Sequence, residues 1–279
     1  HENEYFIDNK LNIEKFYKKL KQSTFFMRMK MEGIILTEEY LLENLKDCSS
    51  MKICIEQVLK YYSNYPISNE KLSIWGDKTP SYLKEMILLK KHFPDSKFIH
   101  VIRDPRNVAL SFYKTWGKSL SGSAHKWNFY ITKSTKTKSD LGADYMEIYY
   151  EYLIEHPNIV LKQVCEFIGC EFNENMLTLN KPSEKFGSAK GLLKIKSNNN
   201  KNYLNQLSTE QIKKIEGICY SQLLKHNYKV SYAEEQVNLK FFQIFFFKIF
   251  DFLQYFRHII FKEFSFIHGL KFILKSIKQ

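Results

Sequence analysis

The sequence has no CxxC pair and no Cys/His spacing suited to zinc, and its five cysteines are an odd number. They read as reduced thiols in a cytosol-like compartment. No stretch of about 18 uncharged apolar residues occurs, so a membrane-spanning helix is not expected. The chain opens on His1 with a mixed polar stretch that shows neither the basic nor the apolar region of a signal peptide. A GxxxxGK[ST] run is absent, as is an obvious magnesium-binding carboxylate at a strand end, which argues against a phosphate-loop kinase. Acidic residues are in deficit, with 30 Asp and Glu against 42 Lys and Arg, a formal charge of +12. Such a charge suits phosphate, a nucleotide or a lipid headgroup. The basic residues are spread along the chain without a recognisable nucleic-acid module, so nucleic acid is not the expected partner.

What is present is enough for a real core: 279 residues, 44% of them hydrophobic. From Asn12 to about Leu59, apolar residues recur at three- and four-residue intervals, which predicts a helical region over 1–70. The pattern then changes. KLSIWGD at 71–77 is a short β-prone run, Pro80 opens a helix continued by SYLKEMILLKKHF, and KFIHVI at 97–102 reads as a buried parallel strand. Asp104-Pro105 starts a helix that ends near Gly117, a further helix is expected over 124–133 with Trp127 and Phe129 packed inward, and 144–153 reads as a strand running into a helix. NIVLKQVCEFIG at 158–169 is amphipathic with Gly169 as C-cap. Alternation of strand and helix predicts an α/β core over 71–235 with a parallel sheet flanked by helices. Residues 190–203 read as a basic loop, and Ser208 with Gln211 forms a capping box for a following helix.

Two strand ends carry cations. Ligands of open parallel sheets bind beyond the carboxyl ends of strands, where Arg103 offers a planar fork of donors matched to phosphate oxygens. Ser111, eight residues on, can add a hydroxyl to the same anion, and Asp104 can order the turn by accepting backbone N–H bonds. Lys78, in WGDKTP, is a mobile point charge at the end of the preceding run. One crossover would place Lys78 and Arg103 on the same sheet edge, a two-phosphate pocket in outline. The plainer alternatives are an exposed lysine in a turn and a surface salt-bridge cluster of Arg103 or Arg106 with Asp104.

The block WGDKTPSYLKEMILLKKHFPDSKFIHVIRDPRNVALSFY resembles the central part of the sulfotransferase family that uses 3′-phosphoadenylyl sulfate, in its bacterial and tyrosylprotein-like branch. The resemblance covers roughly 70–230 and implies a P-loop-NTPase-like α/β fold. It further implies that Arg103 and Ser111 bind the 3′-phosphate of the donor, that Lys78 contacts the transferring sulfonate, and that Tyr150, in IYYEYL, lies near the adenosine. Lys194, Lys196 and Ser197 are weaker cofactor-binding candidates in the loop expected to close over the donor, and Tyr203 stands where relatives usually carry Trp. No metal is implied. The acceptor is a hydroxyl on a carbohydrate, a peptide tyrosine or a small molecule. The family's first strand and its Gly/Ser/Thr-rich phosphate loop have no counterpart in 1–75, so the chain is expected to be a fragment lacking that segment or a degenerate relative. The corresponding alternative function is a catalytically inactive nucleotide-binding or membrane-associated protein. No general base is assigned; His100 is expected to be buried, and His125 is the one in-chain candidate.

Residues 236–279 form a Phe- and Ile-rich extension in which charges recur every few residues. Over 237–279 seven basic residues stand against two acidic ones. A basic, aromatic, amphipathic helix fits an anionic membrane surface; the alternative is a hairpin packed on the domain or on a second subunit. The expected location is cytoplasmic, with peripheral membrane contact under the first reading.

Overall fold

Side-chain caps fix where the first helices begin. Asn12 Oδ1 accepts the Lys15 N–H at 3.0 Å to open α1 (Ile13–Leu20), and Thr37 Oγ1 accepts the Tyr40 N–H at 3.2 Å to open α3 (Glu38–Leu45). Between and after them lie α2 (Thr24–Met31) and α4 (Met51–Ser63), and ahead of them an antiparallel hairpin pairs β1 (Phe6–Ile7) with β2 (Lys10–Leu11). The helices bury Phe16, Met29, Leu41, Leu45, Cys54 and Val58 in one cluster. In this computed structural model residues 5–7, 10–31, 33–46, 48–63, 74, 76–178, 191, 193 and 202–258 are described. The chain divides into two units, His1–Pro80 with Leu88–Asp95, and Ser81–Ile87 with Ser96–Gln279.

The run at 71–77 differs from its expected strand: residues 74, 76 and 77 are irregular, and the others lie outside the described residues. Gly76 and Asp77 are poor ladder residues. Pro80–Lys84 is a 3-10 turn, separated from α5 (Met86–His92) rather than continuous with it.

In the second unit β3 (Phe98–Ile102) and β4 (Tyr145–Tyr149) run parallel, with Phe98 opposite Tyr145 and Ile102 opposite Tyr149. The molecule is thus mixed α/β, mostly helical, with a small parallel sheet. β3 is not buried on both faces: His100 and Ile102 point inward, while Ile99 is 40% and Val101 48% exposed. Helices α6 (Pro105–Trp116), α7 (Leu120–Leu141) and α10 (Thr209–Lys225) pack against the buried face through Ile102, Ala109, Trp127, Ile131, Ile215 and Leu223. Burial of such side chains contributes about 1.5–3 kcal/mol each. α6 closes on Gly117, whose φ of 67° is the left-handed conformation that glycine adopts without a Cβ clash. The expected capping box is formed, Ser208 Oγ accepting the Gln211 N–H and Gln211 Oε1 accepting the Ser208 N–H.

α7 outruns its expected bounds at both ends. Its Ser and Thr hydroxyls turn back onto the helix, Ser134 and Thr135 donating to the Ile131 carbonyl and Thr137 to that of Lys133, and α6 and α10 hold its length. Trp127 packs inward, whereas Phe129 is 49% exposed, because two residues of helix turn it away from the face that Trp127 shares with Ile131. α8 (Tyr150–Glu155) and α9 (Pro157–Ile168) follow β4, and α11 (Phe241–His258) lies along α6 and α7.

Candidate functional site

The pairing of Ile102 with Tyr149 sends the next residues, Arg103 and Tyr150, off the sheet together. The Arg103 guanidinium carbon stands 4.2 Å from the centre of the Tyr150 ring, a cation–π contact. The Arg103 carbonyl accepts the Trp127 Nε1–H at 2.9 Å, which fixes the backbone of the turn to α7. Arg103 Nε is buried and has no hydrogen-bond partner among the described residues. Buried donors are almost always satisfied, so this orphaned guanidinium donor at a strand end is open to an acceptor from outside the chain.

Asp104 is the N-cap of α6 and Pro105 its first residue, the order that sterics and orphan amides favour. The Asp104 carboxylate takes the Arg106 N–H at 2.9 Å and the Arg106 guanidinium at 2.7–3.2 Å. Arg106 Nη1 also donates to Glu216 Oε1 at 2.6 Å and to the Lys229 carbonyl at 2.8 Å, and the Tyr203 ring lies 4.5 Å from its guanidinium carbon. Burial would lower the Arg106 pKa, but the two carboxylates outweigh it and raise it. The salt-bridge cluster allowed by RDPR therefore exists, but it is buried and belongs to Arg106, which leaves Arg103 outside it. Glu216 further accepts the N–H groups of Ser231, Tyr232 and Ala233. Glu151 completes the frame, taking the Asp104 N–H on Oε1 and the Tyr228 hydroxyl on Oε2, both at 3.0 Å.

Ser111 lies exposed on α6, the helix that the Arg103 turn opens. Lys78 is exposed in irregular chain of the first unit, and the neighbouring Thr79 hydroxyl donates to Asp77 Oδ2 at 3.1 Å. Lys194, Lys196 and Ser197 lie outside the described residues. Among the described residues no three His, Cys, Asp or Glu side chains are grouped to hold a metal ion.

His100 is buried in β3 as expected, its Nδ1 2.7 Å from the Tyr145 hydroxyl, and burial lowers its pKa to about 4. His125 lies on α7 close to Lys248 of α11; burial and that lysine lower its pKa. Sequence reasoning missed Glu216, Glu151, Tyr228 and His226, whose Nδ1 is 3.0 Å from the Tyr149 hydroxyl. One signal was available. Glu216 sits on the apolar stripe of α10 defined by Ile212, Ile215, Cys219 and Leu223, and a charge there needs a buried partner.

Residues 8–174 match the Sulfotransferase family, and the chain belongs to it. The match takes in Lys78, Arg103, Ser111 and Tyr150. The protein-tyrosine sulfotransferase of Drosophila melanogaster is 25% identical over 178 residues, 59% of this chain and 34% of that protein. Protein-tyrosine sulfotransferase 2 of Gallus gallus is 24% identical over 155 residues, 52% of this chain and 40% of that protein. The chain thus matches well under half the length of these curated relatives. Among solved structures, the sulfotransferase domain from the curacin biosynthetic pathway is similar with a TM-score of 0.46 at 20% identity, covering 73% of this chain and 77% of that one. That of the Synechococcus PCC 7002 olefin synthase gives 0.47 at 19%, covering 73% and 74%.

Proposed function

We propose that this protein is an enzyme that moves a sulfonyl group from 3′-phosphoadenylyl sulfate to a hydroxyl, with peptide tyrosine the first acceptor to try, because the relatives named above are protein-tyrosine sulfotransferases. The observation that carries the reading is Arg103 at the paired strand ends, with a buried unpartnered Nε and its guanidinium over Tyr150. In this reading Arg103 and Ser111 take the 3′-phosphate, Tyr150 lies near the adenosine, and Lys78 faces the sulfonate. Lys194, Lys196 and Ser197 are weaker candidates for contacts to the donor. The donor supplies an activated sulfonyl group: the acceptor oxygen attacks sulfur, the bond from sulfur to the phosphate oxygen breaks, and the hydroxyl proton passes to a base or to water. Charge builds on the departing oxygen, where a fixed cation is worth most.

The test is transfer of labelled sulfonate from 3′-phosphoadenylyl sulfate to a tyrosine peptide, a carbohydrate and a phenol, alongside calorimetry with adenosine 3′,5′-bisphosphate. Nucleotide binding without transfer to any acceptor would favour the inactive nucleotide-binding relative. Absence of nucleotide binding would end both readings. An anionic membrane surface is the further partner proposed for the C-terminal extension, and the orientation of α11 favours it.

A further inference from the structure

We propose that the outer side of α11, with the lysines along its border, seats the protein on an anionic lipid surface, the helix lying in the plane of the interface. The orientation of the helix is the starting point. Each residue of an α-helix turns by about 100°, so Gln243, Phe247, Asp251 and Gln254 share one side, and Phe242, Phe245 and Ile249 the other. The side toward the domain carries Gln243, Asp251 and Gln254 together with Ile244 and Phe247. Asp251 accepts the Ser119 N–H at 2.8 Å, beside the start of α7. Phe247 and Gln254 lie so close to Gly122 and Gly117 that a Cβ on either glycine would stand 3.1 Å from them. The side away from the domain is apolar and open: Phe241 is 84% exposed, Phe246 63% and Leu253 57%. A helix packed only for burial in its own domain would turn the other way. An apolar surface of this extent marks an interaction site.

Charge decides the occupant. Lys248 and Arg257, both exposed, stand about 100° to one side and about 80° to the other side of the Phe247 direction. Each therefore marks a border between the inner and outer sides. More cations gather near Asp251, which lies between the Phe247 and Lys248 directions. Lys118 and Lys126 are near enough to Asp251 to act on its carboxyl, and Lys84 and Lys126 stand 6.0 and 5.8 Å from the centre of the Tyr130 ring. Crowding against the surface, together with Lys118 and Lys84, lowers the Lys126 pKa although Asp251 opposes it. The cluster thus carries more positive charge than its carboxylate neutralises.

A second copy of this chain would meet these cations with the same cations. An anionic bilayer meets both features, the Phe side chains at the acyl boundary and the lysines among the headgroups. No helix among the described residues is long and apolar enough to cross a membrane, which agrees with a helix lying flat. None of this depends on sulfonyl transfer.

The experiment is co-sedimentation of the full chain with vesicles of phosphatidylcholine alone, and of phosphatidylcholine with phosphatidylserine, at low and high salt. Binding selective for the anionic vesicles is expected. Phe242→Glu and Phe245→Glu, at exposed outer positions, should each lower the partition coefficient about tenfold or more. Lys126→Glu and Lys248→Glu should each lower it at least fivefold at low salt and much less at high salt. Unchanged thermal unfolding of these variants would exclude misfolding. Equal binding to both vesicle types, or insensitivity to the Phe variants, would overturn the proposal. So would a stable dimer that binds no vesicles and falls to monomer in Phe245→Glu, which would make a second copy the occupant.

Discussion

Arg103 and Tyr150 leave adjacent parallel strands at the same level, and the arginine lies over the tyrosine ring at 4.2 Å. Neither residue is placed by its own loop. The sheet register sets their separation, and Trp127, Asp104 and Glu151 hold the turn between them and the core. A guanidinium stacked in this way keeps its in-plane donors free for an anion while its face is covered.

Replacement of Arg103 should therefore be felt in binding. Arg103→Ala should weaken adenosine 3′,5′-bisphosphate by about 2–4 kcal/mol, the range for truncating one member of a desolvated charge pair. Arg103→Lys should recover only part of this, since a point charge cannot donate as a fork. Titration calorimetry reads both, and unchanged affinity in Arg103→Ala would remove the assignment.

Lys78 is expected to behave differently, because its proposed role is to meet charge that develops during transfer. Lys78→Ala should lower kcat by about 10²–10³ with nucleotide affinity retained, as for loss of one oxyanion donor. A variant with full turnover and poor nucleotide affinity would contradict that role.

The Asp104–Arg106–Glu216 triad makes a prediction about stability. Glu216 is fully buried, and Glu216→Ala should cost about 3–5 kcal/mol, because Arg106 keeps Asp104 but loses its Nη1 carboxylate partner and the N–H groups of Ser231, Tyr232 and Ala233 lose their acceptor. Pairing the change with Arg106→Met should cost less than the sum of the two single changes, because the contact between the two residues is lost only once. Urea unfolding of the single and double variants would check both, and additive losses would show that the two residues do not couple.

His100 predicts a dependence on acid. Burial, opposed in part by Glu147, holds its pKa at about 4, below the ordinary value of 6.5. Between these values the unfolded chain takes a proton that the folded one refuses. Its contribution is fully present above about pH 6.5 and is lost as pH falls toward 4, with a ceiling of about 3 kcal/mol. The lowered pKa of His226 acts in the same direction. Urea unfolding from pH 7 to 4.5 should show a shallower slope for His100→Gln than for the natural chain, and equal slopes would refute the attribution.

The features legible in the sequence are those decided within a few residues. The Asp104-Pro105 start of α6, its Gly117 end and the capping box at Ser208 are local chemistry, and each is formed at the expected residue. The strand at 98–102 was legible from its β-branched run, but not its open face, because exposure of Ile99 and Val101 depends on what the rest of the chain brings to that side. The length of α7 escaped because Ser, Thr and Lys are indifferent helix formers individually. At the site, Arg103 could be singled out from its place after an apolar strand. Its contact with Tyr150 could not, since the two lie 47 residues apart and meet only through the sheet register. The partition of Asp104 between two arginines was equally hidden, because Glu216 decides it.

That last partner has a consequence for synthesis. Arg106 and Glu216 are 110 residues apart, so at about 5–20 residues per second a ribosome takes on the order of ten seconds to supply the second after the first. Until then Arg106 has the Asp104 carboxylate but not that of Glu216, and the turn that presents Arg103 lacks this long-range anchor. The nascent chain thus completes the frame around the Arg103 turn late, once α10 has emerged and docked. A chain terminated before Glu216 would reach the chaperones with that frame incomplete.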